Sequence, residues 1–482
     1  MQRRRGAGAG PAAAHTVRCM SKHPAPPFDA WLWLQAWQET WAAGLAPALA
    51  LRLREQRLAA LLACARADSP FYRAHARGPL LADFAAVGKA ELMQHFDDWA
   101  TDRRITRAAA APFIADTSCV ADAWLGEYLL WISSGTSGVP GWFVQDARSL
   151  AAYDAIDALR LRGDEPLPTG LGAWDSGQRF AFVGASGGHF AGWVSLERLR
   201  RLAPAGLRPQ IHLLSVQRPL LQIAAELGAL QPTVLITYPS CAAALAQLQQ
   251  AGALELGLRE VWLGGEQLSL AQRALVRAAF GCKVHNNYGA SECFSIALEC
   301  AEGCLHVNDD WLLLEPVDAK LRPVPAGVLS HNTLLTNLAN RTQPLIRYRL
   351  DDRIRVLPGG CACGSHFTAI EVQGRCADTL TLRDARRRAV TILPLALETA
   401  IEEAARVTQF QVIGQRGGAL ELRFEAVVPN ARIAFERCHA AIDGLLAAHG
   451  VVPTRVTFNR AAPLHEGRSG KLRRVISAPA RG

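Results

Sequence analysis

Ser133-Ser134-Gly135-Thr136-Ser137-Gly138-Val139-Pro140-Gly141 runs on directly from an apolar stretch at 128–132. The apolar run reads as a strand. The glycines after it let the backbone curl so that several N–H groups face one anion, and the hydroxyls add donors. A Walker loop is excluded because no Gly-Lys-Ser/Thr follows; Gly470-Lys471 is followed by Leu472 and lacks the earlier glycine. Taken alone, such a loop is more often a plain turn than a phosphate cradle, so its surroundings decide.

Downstream, 180–183, 234–236, 261–263 and 283–284 read as further strands, and 220–230, 241–251 and 270–280 read as helices between them. That alternation predicts an α/β fold with a largely parallel sheet, helices on its faces and ligands beyond the carboxyl ends of the strands. After about Arg375 the texture changes to a compact region with a helix at 395–405, a β-rich run at 419–424 and a Gly- and Arg-rich tail. It reads as a separate small α+β domain. Upstream, 28–66 reads as helix, with Trp33, Trp37 and Trp41 every fourth residue. The polar face is not strongly basic, so this helix is expected to cap the core rather than lie on a membrane. The expected division is a leader at 1–27, a large domain at 28–373 and a small mobile domain at 374–482.

The formal charge of +9 suggests nucleic acid until it is located. Arg3, Arg4, Arg5, Arg18 and Lys22 precede the first acid, Asp29, and the rest is spread thinly, with no basic stripe interleaved with aromatics. The leader has no apolar core, so it reads as a disordered tail, or as sequence before a true start at Met20, rather than a secretory signal. No run of 18 apolar residues occurs, so neither a nucleic acid nor a membrane is an expected partner. The 12 cysteines without a signal point to a reducing, cytoplasmic setting, as thiols or metal ligands.

The order of motifs carries the functional reading. After the Ser/Gly loop come Gly264-Gly265-Glu266, Tyr288-Gly289-Ala290-Ser291-Glu292, Arg347-Tyr348-Arg349-Leu350-Asp351-Asp352, Gly374-Arg375 and Ser469-Gly470-Lys471. This succession resembles the adenylate-forming superfamily of acyl-CoA synthetases, and within it the phenylacetate–CoA ligase branch, from about Phe71-Tyr72-Arg73 to the last lysine. The resemblance implies ATP-dependent activation of a carboxylic acid, aromatic by analogy, as acyl-AMP. The acyl group then passes to coenzyme A or to a phosphopantetheinyl carrier protein, and a homodimer is a further expectation.

The same resemblance places Ser134, Gly135, Thr136 and Gly138 around the ATP phosphates. It puts Gly265, Glu266 and Tyr288 near adenine, Asp352 on the ribose hydroxyls and Arg375 with the nucleotide. Glu292 would hold Mg2+, as suits a hard oxygen ligand. Lys471 would face the substrate carboxylate and α-phosphate, where negative charge develops.

Three positions depart from the pattern: Val139 where relatives place a lysine, Asp351 where many have glycine, and Ala377 where many have a hinge acid. They motivate a rival reading as a non-catalytic nucleotide-binding homologue. Cys361-Ala362-Cys363-Gly364 is a tight thiol pair, and Cys300 and His306 lie upstream with Cys304 between them. Two ligands from each segment would complete a tetrahedral Zn2+ site, as in some members of the same branch. The alternative is reduced cysteines beside a solvated histidine. The cysteines and the charge together motivate a second rival, a nucleic-acid-binding zinc protein. His189, in Gly187-Gly188-His189-Phe190, is read as a turn histidine that could instead line the acid pocket.

Overall fold

Phe180–Gly184, Val234–Thr237 and Glu260–Gly264 are short apolar strands buried at most positions, the pattern of strands covered on both faces. In the computed structural model they pair in parallel with Ile211–Ser215 on one side and Lys283–Tyr288 on the other. The structure describes residues 25–133, 140–161, 178–203, 210–375, 380–392, 394–405, 407, 409–415, 418–424, 431–452, 454–465 and 471–477. Helices Ala191–Leu202, Leu220–Leu230, Pro239–Gln250 and Leu270–Phe280 link the parallel strands, as the alternating pattern requires.

Beyond Lys283–Tyr288 the sheet changes character. Ala297–Glu299, Leu305–Val307, Ala369–Arg375 and Asp352–Val356 add antiparallel strands, for nine in all. The connections here are hairpins and loops rather than helices, so direction reverses at each step. The expectation of a parallel sheet therefore holds for five of the nine strands. Leu129–Ile132 is not among them. It forms its own antiparallel hairpin with Trp142–Gln145, and the Ser/Gly loop is the connection of that hairpin.

The helix expected at 28–66 is two helices, Ala30–Leu45 and Pro47–Asp68. Pro47 has no N–H to give and restricts the residue before it, and Ala46 is extended at φ −137° and ψ 110°. Asp29 caps the first helix by accepting from the Trp31 and Leu32 N–H groups. Trp33 and Trp37 pack on the cluster around Ala36, Ala151, Ala155 and Ile156, so this helix does cap the body. Trp41 instead stacks on Trp37 with half its surface exposed.

A buried ion cluster fastens these helices. The fully buried Asp310 carboxylate accepts from Arg160 Nη1 and Nη2 at 2.8 and 2.9 Å, while its carbonyl accepts from Arg57 Nη1 at 2.6 Å. Arg57 also donates to Glu39 and lies 3.3 Å from the centroid of the Trp311 ring.

The C-terminal region has its own core around Leu397, Phe410, Val412, Leu422, Cys438 and Ile442. Its four-stranded sheet runs Val456–Asn459, Leu420–Arg423, Gln411–Gly414, Val475–Ile476, with helices Pro394–Ala405 and Ala431–Ala448. Among the described residues no helix is long and apolar enough to cross a membrane.

Arg160→Met should leave the Asp310 carboxylate buried with Arg57, 3.8 Å away, as the one cation paired with it among the described residues. Removing one partner of a buried pair predicts a loss of about 3 kcal/mol, read from the urea midpoint at constant slope. A loss under about 0.5 kcal/mol, the size of an ordinary surface substitution, would show that the cluster does not fasten the helices.

Candidate active site

The Ser/Gly loop is closed at its neck. Ser133 N–H donates to Gly141 O at 2.9 Å and Gly141 N–H to Ser133 Oγ at 2.8 Å. A Cβ on Gly141 would stand 2.6 Å from the Phe143 ring, so only glycine fits there. Ser134, Gly135, Thr136, Gly138 and Val139 lie outside the described residues, as do Ala377, Ser469 and Gly470. The neck meets the Tyr288–Glu292 motif directly, because Ser291 Oγ donates to Ile132 O at 3.3 Å.

The carboxyl ends of the parallel strands form one wall of a cleft of about 1010 Å³, with Gly265, Glu266, Tyr288, Asp352, Gly374 and Lys471 among its lining residues. Gly265 has φ +78°, and a Cβ there would come within 3.1 Å of the Tyr238 ring and 3.3 Å of Lys471 Cε. Tyr288 ends its strand and donates its hydroxyl to Asp352 Oδ2 at 2.7 Å. Gly374 and Arg375 end the strand Ala369–Arg375, whose register pairs Arg375 with Asp352. The Arg375 side chain lies outside the described residues. Lys471 Nζ sits 5.7 Å from the Tyr238 ring centroid. Residues from five separated motifs thus meet at one cleft.

Two expected residues behave differently from the rest of the set. The Glu266 carboxylate accepts from Ser240 N–H and Ser240 Oγ, both at 3.0 Å, and from Leu472 N–H at 2.7 Å. Burial pushes its pKa up, against those donors and Lys471. Glu292 is buried outside the cleft lining: Tyr348 donates its hydroxyl to Glu292 Oε1 at 2.7 Å, and Lys89 Nζ is 3.8 Å from that oxygen. With one oxygen so engaged, the carboxylate suits a single-oxygen Mg2+ ligand.

Asp351 has φ +61°, the left-handed conformation that explains why glycine would serve here and why aspartate is tolerated. Its carboxylate accepts from Asn332 Nδ2 at 2.9 Å, so its charge has a partner of its own. His189 is buried with Nε2 3.2 Å from Asp116 O and its ring 5.1 Å from that of Phe113, a packed turn histidine; burial lowers its pKa.

Tyr238, Ser240, Lys89 and Tyr348 were not singled out from the sequence. Tyr238 was within reach, since it follows the strand Val234–Thr237 where ligands are expected. Tyr348 lies inside a quoted motif, whereas Lys89 carries no local signal at all.

The cysteine cluster is assembled by two neighbouring turns. Cys300 and His306 flank the hairpin between Ala297–Glu299 and Leu305–Val307, and Cys361 and Cys363 sit between Asp352–Val356 and Ala369–Arg375. The register Ala369 opposite His306 sets the turns side by side. One ligand atom from each of Cys300, His306, Cys361 and Cys363 lies within 4.8 Å of all the others. Cys300 Sγ is 3.7 Å from Cys361 Sγ, and Cys363 Sγ is 3.3 Å from His306 Nε2. Tetrahedral Zn2+ with thiolate bonds separates its ligand atoms by about 3.8 Å, so the set fits. His306 Nδ1 faces Phe367 O at 2.9 Å, which leaves Nε2 for the metal. The Cys363 N–H, with help from His306 and the neighbouring thiols, holds the Cys361 thiol down at about 6.

No protein-family model and no curated protein matches the chain in sequence. Among solved structures, 2-hydroxyisobutyryl-CoA ligase in its postadenylation state with 2-HIB-AMP has a TM-score of 0.64 at 20% identity, covering 90% of each chain. The same ligase with 2-HIB-AMP and CoA in its thioesterification state gives 0.52 at 20% identity over 90% of each chain. An anthranilate CoA ligase bound to anthranoyl-AMP gives 0.52 at 17% identity, covering 71% of this chain and 64% of its own. The chain therefore has the fold of adenylate-forming acyl-CoA ligases.

Untagged protein is expected to carry about one zinc per chain by elemental analysis, and the absence of stoichiometric metal would refute the site. Cys361→Ser should lower stability in the metal-loaded protein, because metal binding is coupled to folding.

Proposed function

We propose that the chain activates a carboxylic acid with ATP, forming acyl-AMP and pyrophosphate, and then transfers the acyl group to the thiol of coenzyme A. The observation that carries this reading is the meeting of Gly265, Tyr288, Asp352 and Lys471 at one cleft on the carboxyl side of the parallel strands. In the first half-reaction a carboxylate oxygen attacks the α-phosphorus of ATP and pyrophosphate leaves. Lys471, the cation nearest Gly265 in the cleft, would oppose the charge that builds between carboxylate and phosphate. Asp352, which also accepts from the Tyr288 hydroxyl, would accept from the ribose hydroxyls. Glu292 would hold Mg2+, which neutralises phosphate charge. The thiol then attacks the acyl carbonyl and AMP leaves.

We further propose that the chain divides at Gln373 and Gly374 and that the region beyond rotates between the half-reactions. The higher TM-score to the postadenylation state than to the thioesterification state of one ligase supports this. The acid is proposed to be a planar aromatic one. In support, the loop neck is walled by Ile132, Ala185 and Phe190, with Trp142 and Trp193 against them.

Pyrophosphate exchange should therefore favour benzoate or phenylacetate over acetate and 2-hydroxyisobutyrate; the highest specificity constant on either aliphatic acid would overturn the aromatic reading, and no exchange with any acid would favour the non-catalytic one. Lys471→Ala should lose ~10²–10³ in exchange rate yet convert synthetic acyl-adenylate to thioester at near wild-type rate. Asp352→Ala should weaken both. Equal loss of the two half-reactions in folded Lys471→Ala protein would rule out the role given to the lysine.

A further inference from the structure

We propose that Glu266 is a positioning residue: its carboxylate, on a half-buried side chain, latches the C-terminal segment, and so Lys471, over the cleft, and does not contact the nucleotide. All three of its partners are donors, Ser240 N–H and Ser240 Oγ at 3.0 Å and Leu472 N–H at 2.7 Å. Both carboxylate oxygens are thus engaged by protein, and an anion is the group that best satisfies three convergent donors. Leu472 is the residue next to Lys471, so holding its N–H fixes the lysine backbone within one residue.

The side chain is guided from there. Lys471 Cε passes 3.3 Å from where a Cβ on Gly265 would stand, a gap that only glycine leaves open. Tyr238 closes the other side, 5.7 Å from Nζ, with its own hydroxyl accepting from Ala185 N–H at 3.1 Å. A second tie to the C-terminal region runs from Ser240, whose carbonyl accepts from Gln409 Nε2 at 2.7 Å. Ser269 Oγ adds a third tie, to Glu402 Oε1 at 2.8 Å. These ties are hydrogen bonds rather than packed apolar faces, and such a joint can be made and released in each cycle. What the latch serves rests on the proposed ligase chemistry; that it exists does not.

The test uses the full-length protein and Mg-ATP alone as probe. In Glu266→Ala the Leu472 amide should exchange with solvent deuterium about tenfold faster, as loss of a charged hydrogen bond predicts. The Mg-ATP dissociation constant should stay within about twofold, because no nucleotide contact is lost. Where wild-type protein exchanges pyrophosphate with benzoate, turnover should fall about tenfold with the KM for ATP unchanged, since the lysine is misplaced rather than removed. If the alanine variant does not fold, Glu266→Gln keeps the volume but offers one acceptor to three donors, and should raise Leu472 exchange by a smaller, measurable factor. Unchanged Leu472 exchange in a folded variant overturns the latch, as does a Mg-ATP dissociation constant raised about tenfold or more, the mark of a lost nucleotide contact. A wild-type protein inactive with every acid would sink the ligase reading, while the exchange and ATP-binding arms still decide the latch.

Discussion

The hydrogen bond from Tyr288 to Asp352 spans 64 residues of sequence and joins the two halves of the large sheet. Tyr288 ends the last parallel strand, and Asp352 begins the strand at the far antiparallel edge. Between them the sheet must reverse direction, run through two hairpins and return, so that both side chains emerge at the same cleft. Because Lys283–Tyr288 pairs in parallel on one side and antiparallel on the other, it is the seam of the molecule. The cleft residues Tyr288 and Asp352 lie at one end of this seam, and the cysteine turns are built on the strands beyond it.

How much of this is legible in the sequence follows from the range of each interaction. Helices Leu220–Leu230 and Leu270–Phe280 match the sequence reading at both ends, because their boundaries are set locally: Ser269 caps the second, and Gly281 at φ +62° ends it. Strand direction is not local. The run ending at Ile132 looks the same whether its partner is a parallel neighbour or its own hairpin return, and the latter is what forms. Pro47 was readable as a helix break, and an apolar period continuing on both sides concealed it. At the site, motif order brings Gly265, Tyr288, Asp352 and Lys471 together. It gives no warning that Glu266 spends its carboxylate on Ser240 and Leu472, since that depends on the docking of two regions some 200 residues apart. Lys89 was invisible for the same reason.

The departures from the family pattern divide by the same logic. Asp351 takes a left-handed turn and is matched by Asn332, so a position that looked like added charge at the nucleotide is a backbone requirement met by another residue that tolerates it. Buried charge elsewhere follows one rule too: Asp310 and Glu292 each sit out of water only where donors reach them.

The cysteine turns belong to this architecture rather than to the chemistry. Four ligand atoms from Cys300, His306, Cys361 and Cys363 lie within 4.8 Å of one another, and a tetrahedral metal held by all four would keep no open position for substrate, as in a closed structural site. Yet Cys300 to Gly303 also line one end of the cleft. The strand that leaves the second turn, Ala369–Arg375, has Gly374 next to its end, where a Cβ would stand 3.2 Å from Gln267 Oε1, and Gln267 in turn donates to Val372 O at 3.3 Å. A metal that pins the two turns therefore fixes the start of a strand whose end abuts the residue after Glu266. Short antiparallel strands of three residues each are weak on their own, and Ala297–Glu299 and Leu305–Val307 have just that length. A metal crosslinking their turn to the next one would give the far half of the sheet a rigidity that its pairing alone does not supply, and the cleft wall on which Asp352 and Gly374 stand would inherit it.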